Sequence, residues 1–429
     1  METKKAKDSN KIKKYYKTIV IGGGAGGLFF GAACPAGSDV LILDRNKSLG
    51  IKLLMSGSGH CNITHGGSIK DFINCYGQNG KKIRSCLYRH NNIELHNFMS
   101  SLGVHLIERE DGKIFPASMN AKEIRDALVS ACIKSGITLK TNSCVNRLSK
   151  TRKGFDVYFS DTDSSCEILS CTNLIIASGG SSYPTTGSDG MLMKVLSRDL
   201  GINPTILKPA LVPVYTENYP FSDLSGISLK SIGLKINNNE TGLKISTQGD
   251  LLFTHKNLSG PIILNSSRYI SPGTKLDFNF VFPYNEKDLL NNIKNNMPKN
   301  SKKLSVFLGE KYLLPKRFVE RILSKATLED KKLSSLSGKD ISAIGREFCH
   351  SIHIVSGLGS FKESMVTKGG FSLQDVNTIT MESTTISGLF FVGEVLDIDG
   401  DTGGYNLQFA YSSAMACRDE IINKKKEVF

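Results

Sequence analysis

Two glycine-rich turns lie near opposite ends of the chain, and both have the residue types of a phosphate or cofactor site. The first is Gly22-x-Gly24-x-x-Gly27, directly after the β-branched run "TIVI". The second lies within "GEVLDIDGDTGGYNLQFAYSS" at 393–413. In such turns the free backbone N–H groups at the start of a helix face an anion. The pattern raises the question of whether both turns hold one ligand.

The first turn has the features of a dinucleotide-binding unit. Gly22 permits the tight turn, Gly24 lets the backbone approach a pyrophosphate, and Gly27 lets the helix pack closely on the strand. A second apolar run, "DVLILD", ends in Asp44, an acid placed to accept ribose hydroxyl groups. The order of strand, glycines, helix, strand and acid therefore predicts dinucleotide binding. This motif alone leaves FAD and NAD open.

A third glycine turn favours the longer cofactor. Ser56-Gly57-Ser58-Gly59 follows the ribose acid within "RNKSLGIKLLMSGSGHCNIT". A backbone-rich turn here makes room for a ligand whose far end extends beyond the first loop. We therefore expect FAD.

Several long segments resemble, in the same order, the sequence blocks of the YhiN/BaiN-like FAD-dependent flavoproteins. One is the "SGSGHCNIT" segment, in which His60 stands where many members have Arg, so the resemblance assigns His60 no role. The others are "EDGKIFPAS", "LIIASGGSSYPTTGSDG", "PALVPV", "GDLLFTHKNLSGPIIL", "ESMVTKGGFSL" and "GLFFVGEVLDIDGDTGGYNLQFAYSS".

The resemblance implies an α/β fold with a discontinuous Rossmann-like FAD domain of the glutathione-reductase type, built from both chain ends. Glu394 would bond the ribityl chain, and the turn before Tyr405 would direct a helix N-terminus at the flavin, stabilising negative charge there. The predicted cofactor-binding residues are Gly22, Gly24, Ala25, Gly27, Asp44, Arg45, Lys52, Ser56, Gly57, Asn62, Gly179, Gly393, Glu394, Gly404, Asn406 and Leu407.

The spacing of apolar residues changes in the middle of the chain. Short alternating segments over 211–283 indicate an antiparallel sheet or small barrel. Over 286–348 the apolar spacing becomes helical. We predict a basic disordered arm at 1–16, the first part of the FAD domain at 17–204, an inserted β domain at 205–285, an inserted helical segment at 286–350, and the second part of the FAD domain at 351–429.

Two residues are candidates for the proton donor. Cys61 follows the third glycine turn, and its alternative role is that of a buried inert thiol. Tyr183 in "SSYPTT" is the second candidate, and its alternative role is to hold a carbonyl oxygen. His255 is equally suited to meeting a substrate and to capping a helix. His350 and His353 would point to opposite faces of a strand, so we predict no metal site.

Composition restricts the class of protein. The 429 residues are 40% hydrophobic and 22% charged, as in globular proteins, and the ten cysteines form no CxxC pair. We expect reduced thiols, a cytoplasmic location and no membrane span. The net charge of +14 favours an anionic partner such as nucleic acid, with a lysine-rich composition of no functional meaning as the alternative.

The resemblance also implies the reaction. Members of the family reduce uridine in large-subunit ribosomal RNA, reduce a steroid-type enone, or oxidise aminoacetone. We expect NAD(P)H to act as a transient reductant, since the chain has no second complete GxGxxG unit. The first hypothesis is an FAD-dependent reductase of an activated C=C bond in ribosomal RNA uridine. The alternatives are a small-molecule flavin reductase or oxidase and a flavin-containing binding protein without turnover.

Overall fold

The computed structural model describes residues 14–161, 166–297, 301–328 and 330–426. Thirteen residues of the predicted basic arm, 1–13, lie outside this part of the chain. Tyr15 and Tyr16, which we expected at the end of the arm, instead begin the first strand, β1. The described chain divides into two compact units: the first ends at Lys208 and resumes at Val366, and the second is Pro209–Met365.

The first unit is built on a mixed nine-stranded sheet with the strand order β18-β19-β20-β9-β1-β2-β6, to which β7 and β8 are added beside β9. The pairs among β20, β9, β1, β2 and β6 are parallel, and the others are antiparallel. The strands of the unit are β1 (Tyr15–Ile21), β2 (Val40–Leu43), β3 (Thr64–His65), β4 (Leu106–Glu108), β5 (Lys113–Pro116), β6 (Thr138–Lys140), β7 (Cys144–Thr151), β8 (Gly154–Ser160), β9 (Cys166–Ile176), β17 (Val366–Lys368), β18 (Val376–Asn377), β19 (Glu382–Ser383) and β20 (Leu389–Phe391). Of these, β3, β4 and β5 form a separate three-stranded sheet, and β17 lies outside both sheets.

Helices cover this sheet and fill the unit. They are α1 (Ala25–Ala32), α2 (Ile51–Met55), α3 (Ile69–Phe72), α4 (Arg84–Arg89), α5 (Asn92–Ser101), α6 (Ala121–Lys134), α7 (Met191–Leu200) and α13 (Tyr405–Lys426). The central strands β1, β2 and β20 read "YYKTIVI", "VLIL" and "LFF", the apolar composition of strands covered on both faces.

The pairing of β20 with β9 joins the two chain ends. Leu389 lies opposite Leu174, and Phe391 lies opposite Ile176, in parallel register. β9 pairs on its other side with β1, so all three strands point the same way. The carboxyl ends of these strands therefore meet at one sheet edge, where ligands of open α/β sheets bind. The predicted discontinuous Rossmann-like fold is confirmed.

The second unit is a closed barrel with the strand order β11-β14-β13-β12-β15-β16. Its strands are β11 (Val214–Thr216), β12 (Ser228–Asn238), β13 (Leu243–Phe253), β14 (Leu258–Ser259), β15 (Lys275–Asn279) and β16 (Ser351–Leu358), with β10 (Lys208–Ala210) at the unit boundary. The helices are α8 (Pro261–Ser266), α9 (Glu286–Asn296), α10 (Leu304–Tyr312), α11 (Lys316–Lys325) and α12 (Gly338–Cys349). This agrees with the predicted insertion of a barrel-like and helical domain.

Both ends of the insertion also differ from the prediction, since it spans Pro209–Met365 and not 205–350. We assigned residues from 351 onward to the second part of the FAD domain, but β16 pairs with β15 and β11 and closes the barrel. The reason lies in its pattern, because "SIHIVSGL" alternates between buried and exposed side chains. Such alternation is typical of an antiparallel strand with one face in a core.

Among the described helices, none combines the length and the apolar character needed to cross a membrane.

Candidate functional site

The first glycine turn leads from β1 into α1 and leaves the helix start without a side-chain cap. Gly22 has φ +112° and donates its N–H to the carbonyl of Leu43 at 2.8 Å. A Cβ on Gly27 would lie 2.0 Å from the carbonyl oxygen of Gly22, so only glycine allows this approach. By contrast, a Cβ on Gly24 would meet no atom within 4 Å. The turn thus presents open space at Gly24 and the first N–H groups of a helix, a suitable cradle for a pyrophosphate.

Asp44 follows β2 and holds this turn in place. Its Oδ2 accepts a hydrogen bond from the N–H of Gly23 at 2.7 Å, and its Oδ1 accepts one from the N–H of Asn46 at 2.7 Å. Burial raises the pKa of the Asp44 carboxyl, and the hydrogen bonds from the two N–H groups reduce this upward shift. The binding of ribose hydroxyls by Asp44 remains a prediction.

The predicted cofactor residue Arg45 forms an ion pair with Asp189 at 2.5 Å. The neighbouring Asn46 donates to the carbonyl of Thr186 at 3.0 Å. Both contacts join the end of β2 to the loop that follows Tyr183. This loop is therefore part of the same sheet edge as the first glycine turn.

The third glycine turn, at 56–59, contains two consecutive residues in the left-handed backbone region, where glycine is favoured. Gly57 and Ser58 both have left-handed backbone angles, with φ near +55°. The carbonyl of Ser56 accepts the N–H of Cys61 at 2.9 Å, which closes the turn. Cys61 is fully buried, and burial raises the pKa of its thiol to about 12.

Asn62 connects this turn to the C-terminal one. In the amide orientation that satisfies its neighbours, its oxygen accepts the N–H of Gly404 at 3.1 Å and its nitrogen donates to the carbonyl of Thr64 at 2.9 Å. Gly404 has φ +91°, and a Cβ there would lie 2.6 Å from the carbonyl oxygen of Thr64. The second glycine turn thus packs against Asn62 and Thr64, in the segment that directly follows the third glycine turn.

The C-terminal turn starts helix α13. The first backbone bond of the helix runs from Gln408 N–H to the carbonyl of Gly404 at 2.9 Å, which leaves the N–H groups of Tyr405, Asn406 and Leu407 at the open end. The Asn406 side chain turns back and accepts the N–H of Gly400 at 2.8 Å. The buried Gln408 is held by Thr64 Oγ1 at 2.6 Å.

Glu394, just after β20, is the centre of a polar network. Its Oε2 lies 2.6 Å from Lys52 Nζ, and its Oε1 accepts from Ser182 Oγ at 2.6 Å and from the N–H of Thr367 at 2.9 Å. Lys52 Nζ also donates to Ser182 Oγ at 2.5 Å. The side chain predicted to bond the ribityl chain is therefore fixed by three partners.

Two residues of this network, Ser182 and Thr367, are absent from the predicted site. The hydroxyl of Thr367 accepts the N–H groups of Ser181 and Ser182 at 2.7 and 3.1 Å. Their signals in the sequence are weak: each is a small hydroxyl residue within three positions of a Gly-Gly pair.

The loop after β9 carries an unsatisfied polar group. Gly179 has φ +73°, and a Cβ there would lie 2.9 Å from Ser188 Oγ. The Ser188 hydroxyl is buried and has no hydrogen-bond partner among the described residues. Together with the open cradle at Gly24, this donor fits an FAD molecule bound along the sheet edge.

The other candidates lie as follows. Tyr183 has φ +52° and is partly exposed, in the loop tied to Arg45 and Asn46. His60 Nδ1 lies 2.7 Å from the carbonyl of Met119. In the second unit His255 is exposed, while His353 is buried and His350 is 43% exposed. Within the described ranges, no three metal-binding side chains form a group.

Known proteins resemble this chain in sequence and in fold. A family model described as "HI0933-like protein Rossmann domain" matches residues 16–420. The "Ribosomal RNA dihydrouridine synthase" of Escherichia coli (strain K12) is 32% identical over 422 residues, which cover 96% of this chain and 99% of the relative. The "3-dehydro-bile acid delta(4,6)-reductase" of Clostridium scindens is 26% identical, covering 92% and 96%.

Among solved structures, 3-ketosteroid delta1-dehydrogenase from Sterolibacterium denitrificans superposes with a TM-score of 0.52 at 11% identity, covering 96% of this chain and all of that one. At this identity the likeness concerns the fold alone.

Proposed function

The chain belongs to the HI0933-like Rossmann-domain family and is an FAD-dependent oxidoreductase, and we propose that it reduces uridine in large-subunit ribosomal RNA to dihydrouridine, with NAD(P)H as electron source. The observation that carries this proposal is the 32% identity, over nearly the full length of both chains, to a ribosomal RNA dihydrouridine synthase. The net charge of +14 is consistent with an RNA substrate. Because the proposed substrate is ribosomal RNA, we also propose a cytoplasmic location.

The reaction adds one hydride and one proton across the C5=C6 bond of uracil. The hydride goes to C6, the carbon β to the C4 carbonyl, and a proton goes to C5, so one C=C bond is lost and two C–H bonds form. FAD, when bound, would supply the hydride, and NAD(P)H is the proposed source of its electrons. The chain contributes binding, orientation and the proton.

The residues that would hold FAD lie along the one sheet edge. The first glycine turn and α1 would bind the pyrophosphate, Asp44 the ribose, and Lys52, Asn62 and Glu394 the remainder. The open N-terminal end of α13 supplies a partial positive charge that favours negative charge on the ligand.

Of the two candidate donors, we favour Tyr183. A proton donor has to reach the reacting carbon, and Tyr183 is partly exposed in its loop, whereas the Cys61 thiol is fully buried. We assign Cys61 the role of a packed, protonated thiol beneath the third glycine turn.

The test is to delete the gene and map dihydrouridine in large-subunit ribosomal RNA. We expect one or more dihydrouridines to disappear and to return when the wild-type gene is supplied. Unchanged dihydrouridine in the deletion strain would refute the RNA substrate.

The second candidate function is reduction of a small enone, favoured by the similarity to the bile acid reductase. It uses the same hydride and proton transfer. It predicts that the reduced protein is reoxidised by a steroid-type enone at a rate independent of ionic strength, whereas RNA binding weakens steeply with salt. If uridine-containing RNA reoxidises the reduced protein and the enones tested do not, the small-enone function is excluded.

A further inference from the structure

The outer face of the barrel brings together three lysines that are far apart in sequence. On β12, Lys235 and Asn237 point outward, because they alternate with Leu234 and Ile236, which are buried in the barrel core. Asn237 lies opposite Lys244 of β13 and opposite Lys275 of β15. All three lysines are exposed. We call this face, with its polar neighbours, the β13–β12–β15 face.

The charges on this face are close enough to act together. Directly paired strands are about 5 Å apart and alternate residues about 7 Å, so the three lysine Cα positions lie within roughly 10 Å. This is comparable with the screening length of about 8 Å at physiological salt. Within the described residues none of the three lysines forms an ion pair. The one carboxylate on the face, Asp277, is paired in the strand register with Lys235 and lies 3.5 Å from His350, so the face carries three lysines and one acid.

An aromatic ring borders the lysines. A Cβ on Gly233 would meet the Phe282 ring at 3.1 Å, so the ring lies over Gly233 on the same outward face, two residues from Lys235. Phe282 is 40% exposed, and so is Tyr284, whose ring packs against that of Tyr312 at 5.4 Å. The remaining outward side chains, Ser246, Gln248 and Asn279, are neutral and polar.

The second unit also carries a large share of the net charge. Residues 209–365 contain 21 Lys+Arg and 14 Asp+Glu, an excess of seven, which is half of the +14 of the whole chain. Exposed aromatic rings beside unpaired cations are the features with which proteins bind single-stranded nucleic acid, because the rings stack on bases and the cations follow the backbone.

We propose that the β13–β12–β15 face binds single-stranded RNA, with Lys235, Lys244 and Lys275 contacting phosphates and Phe282 stacking on a base. This inference rests on the proposed RNA substrate, for which it names the contact surface.

The test measures binding of a uridine-containing single-stranded RNA oligonucleotide to full-length protein over a range of salt concentrations. The variant is the triple substitution Lys235→Gln, Lys244→Gln, Lys275→Gln. Each phosphate contact on a single strand contributes about 0.7 to the slope of log K against log salt, so we expect the slope to fall by about 2. Phe282→Leu keeps the apolar contact with Gly233, and we expect it to bind roughly tenfold more weakly.

A matched control removes three exposed lysines of the first unit, with Lys122→Gln, Lys134→Gln and Lys153→Gln. We expect this control to bind like wild type. Flavin content and the rate of flavin reduction by NAD(P)H serve as checks that every variant is folded.

The outcomes separate the two proposals. If wild-type protein binds no RNA and the deletion strain keeps its dihydrouridine, the proposed function fails. If wild type binds RNA and the triple variant binds with the same affinity and slope, the face is not the contact surface, although the function stands. Binding to intact ribosomal subunits but not to protein-free RNA would also overturn the face, since a protein partner would then account for it.

Discussion

Lys52 and Glu394 lie 342 positions apart in the chain, yet the Nζ of one is 2.6 Å from Oε2 of the other. Lys52 belongs to the short helix α2, and Glu394 follows β20. Their side chains are 26% and 18% exposed, so the pair is only partly shielded from water. The contact fixes the C-terminal strand end against the segment between Asp44 and the third glycine turn.

We predict that this pair is energetically coupled. Lys52→Met and Glu394→Gln each lower the stability of the flavin-free protein, and in combination they cost less than the sum by about 1–2 kcal/mol, because the second substitution removes nothing further from the ion pair. Denaturant unfolding of wild type, both single variants and the double variant gives this coupling energy. Strictly additive effects would contradict it.

Gly24 and Gly27 provide a matched pair for testing the phosphate cradle. Gly24 has φ −78°, which alanine adopts, and open space at its Cβ position, so Gly24→Ala should cost less than about 1 kcal/mol of stability yet bind FAD at least tenfold more weakly. Gly27→Ala should instead destabilise the fold by about 2 kcal/mol or more through its clash with Gly22. Flavin titration and thermal unfolding separate the two effects. Normal FAD affinity in Gly24→Ala would place the pyrophosphate elsewhere.

Tyr183→Phe should separate the two halves of the catalytic cycle. We expect reduction of the flavin by NAD(P)H at the wild-type rate, and reoxidation by uridine-containing RNA at least about 100-fold more slowly, because the proposed proton donor is removed. Stopped-flow absorbance of the flavin follows both steps. Cys61→Ala is the control, with reoxidation within about threefold of wild type. Slow reoxidation in Cys61→Ala alone would assign the donor role to the thiol.

His353 makes the stability of the protein depend on pH. It lies in the barrel core, with its ring 5.2 Å from that of Phe221, and burial lowers its pKa from 6.5 to about 4. Since the unfolded chain binds the proton more tightly, the stabilisation is present above pH 6.5 and is lost as the pH falls toward 4. Between pH 7 and 5 the loss from this group is about 2 kcal/mol.

His353→Gln should therefore lose less stability than wild type over this range. Denaturant unfolding at pH 7 and pH 5 measures the difference. The pKa of His90 is also lowered to about 4 by burial, so His90→Gln serves as a comparison that removes a different contribution. Equal pH dependence in wild type and His353→Gln would contradict the assignment.

The parts of the candidate site that lie close together in sequence were predictable, because each is encoded by a short run of adjacent residues. The turn at Gly22 needs only the strand before it and the helix after it, and the sequence shows both. Asn62 and Gly404 were predicted as site residues only through the resemblance to a family. Their contact with each other depends on the meeting of two distant chain segments.

Other features had no local signal. Ser182 and Thr367 reach Glu394 across 212 and 27 positions, and a lone serine or threonine near glycines has many roles. The three lysines of the β13–β12–β15 face become neighbours only through strand register. The boundary at 350 was placed wrongly because the last barrel strand follows the helices. The helical spacing of apolar residues therefore ends before the unit does.

The pairing of β20 with β9 has a consequence for how the protein is made. While the chain is being translated, the edge of β9 that pairs with Leu389–Phe391 stays unpaired until the whole barrel and its helices have left the ribosome. An apolar, unpaired strand edge invites association with other chains. The nascent protein is therefore most exposed to misassembly during that interval, and a ribosome that stalls before residue 389 releases a product whose central sheet cannot be completed.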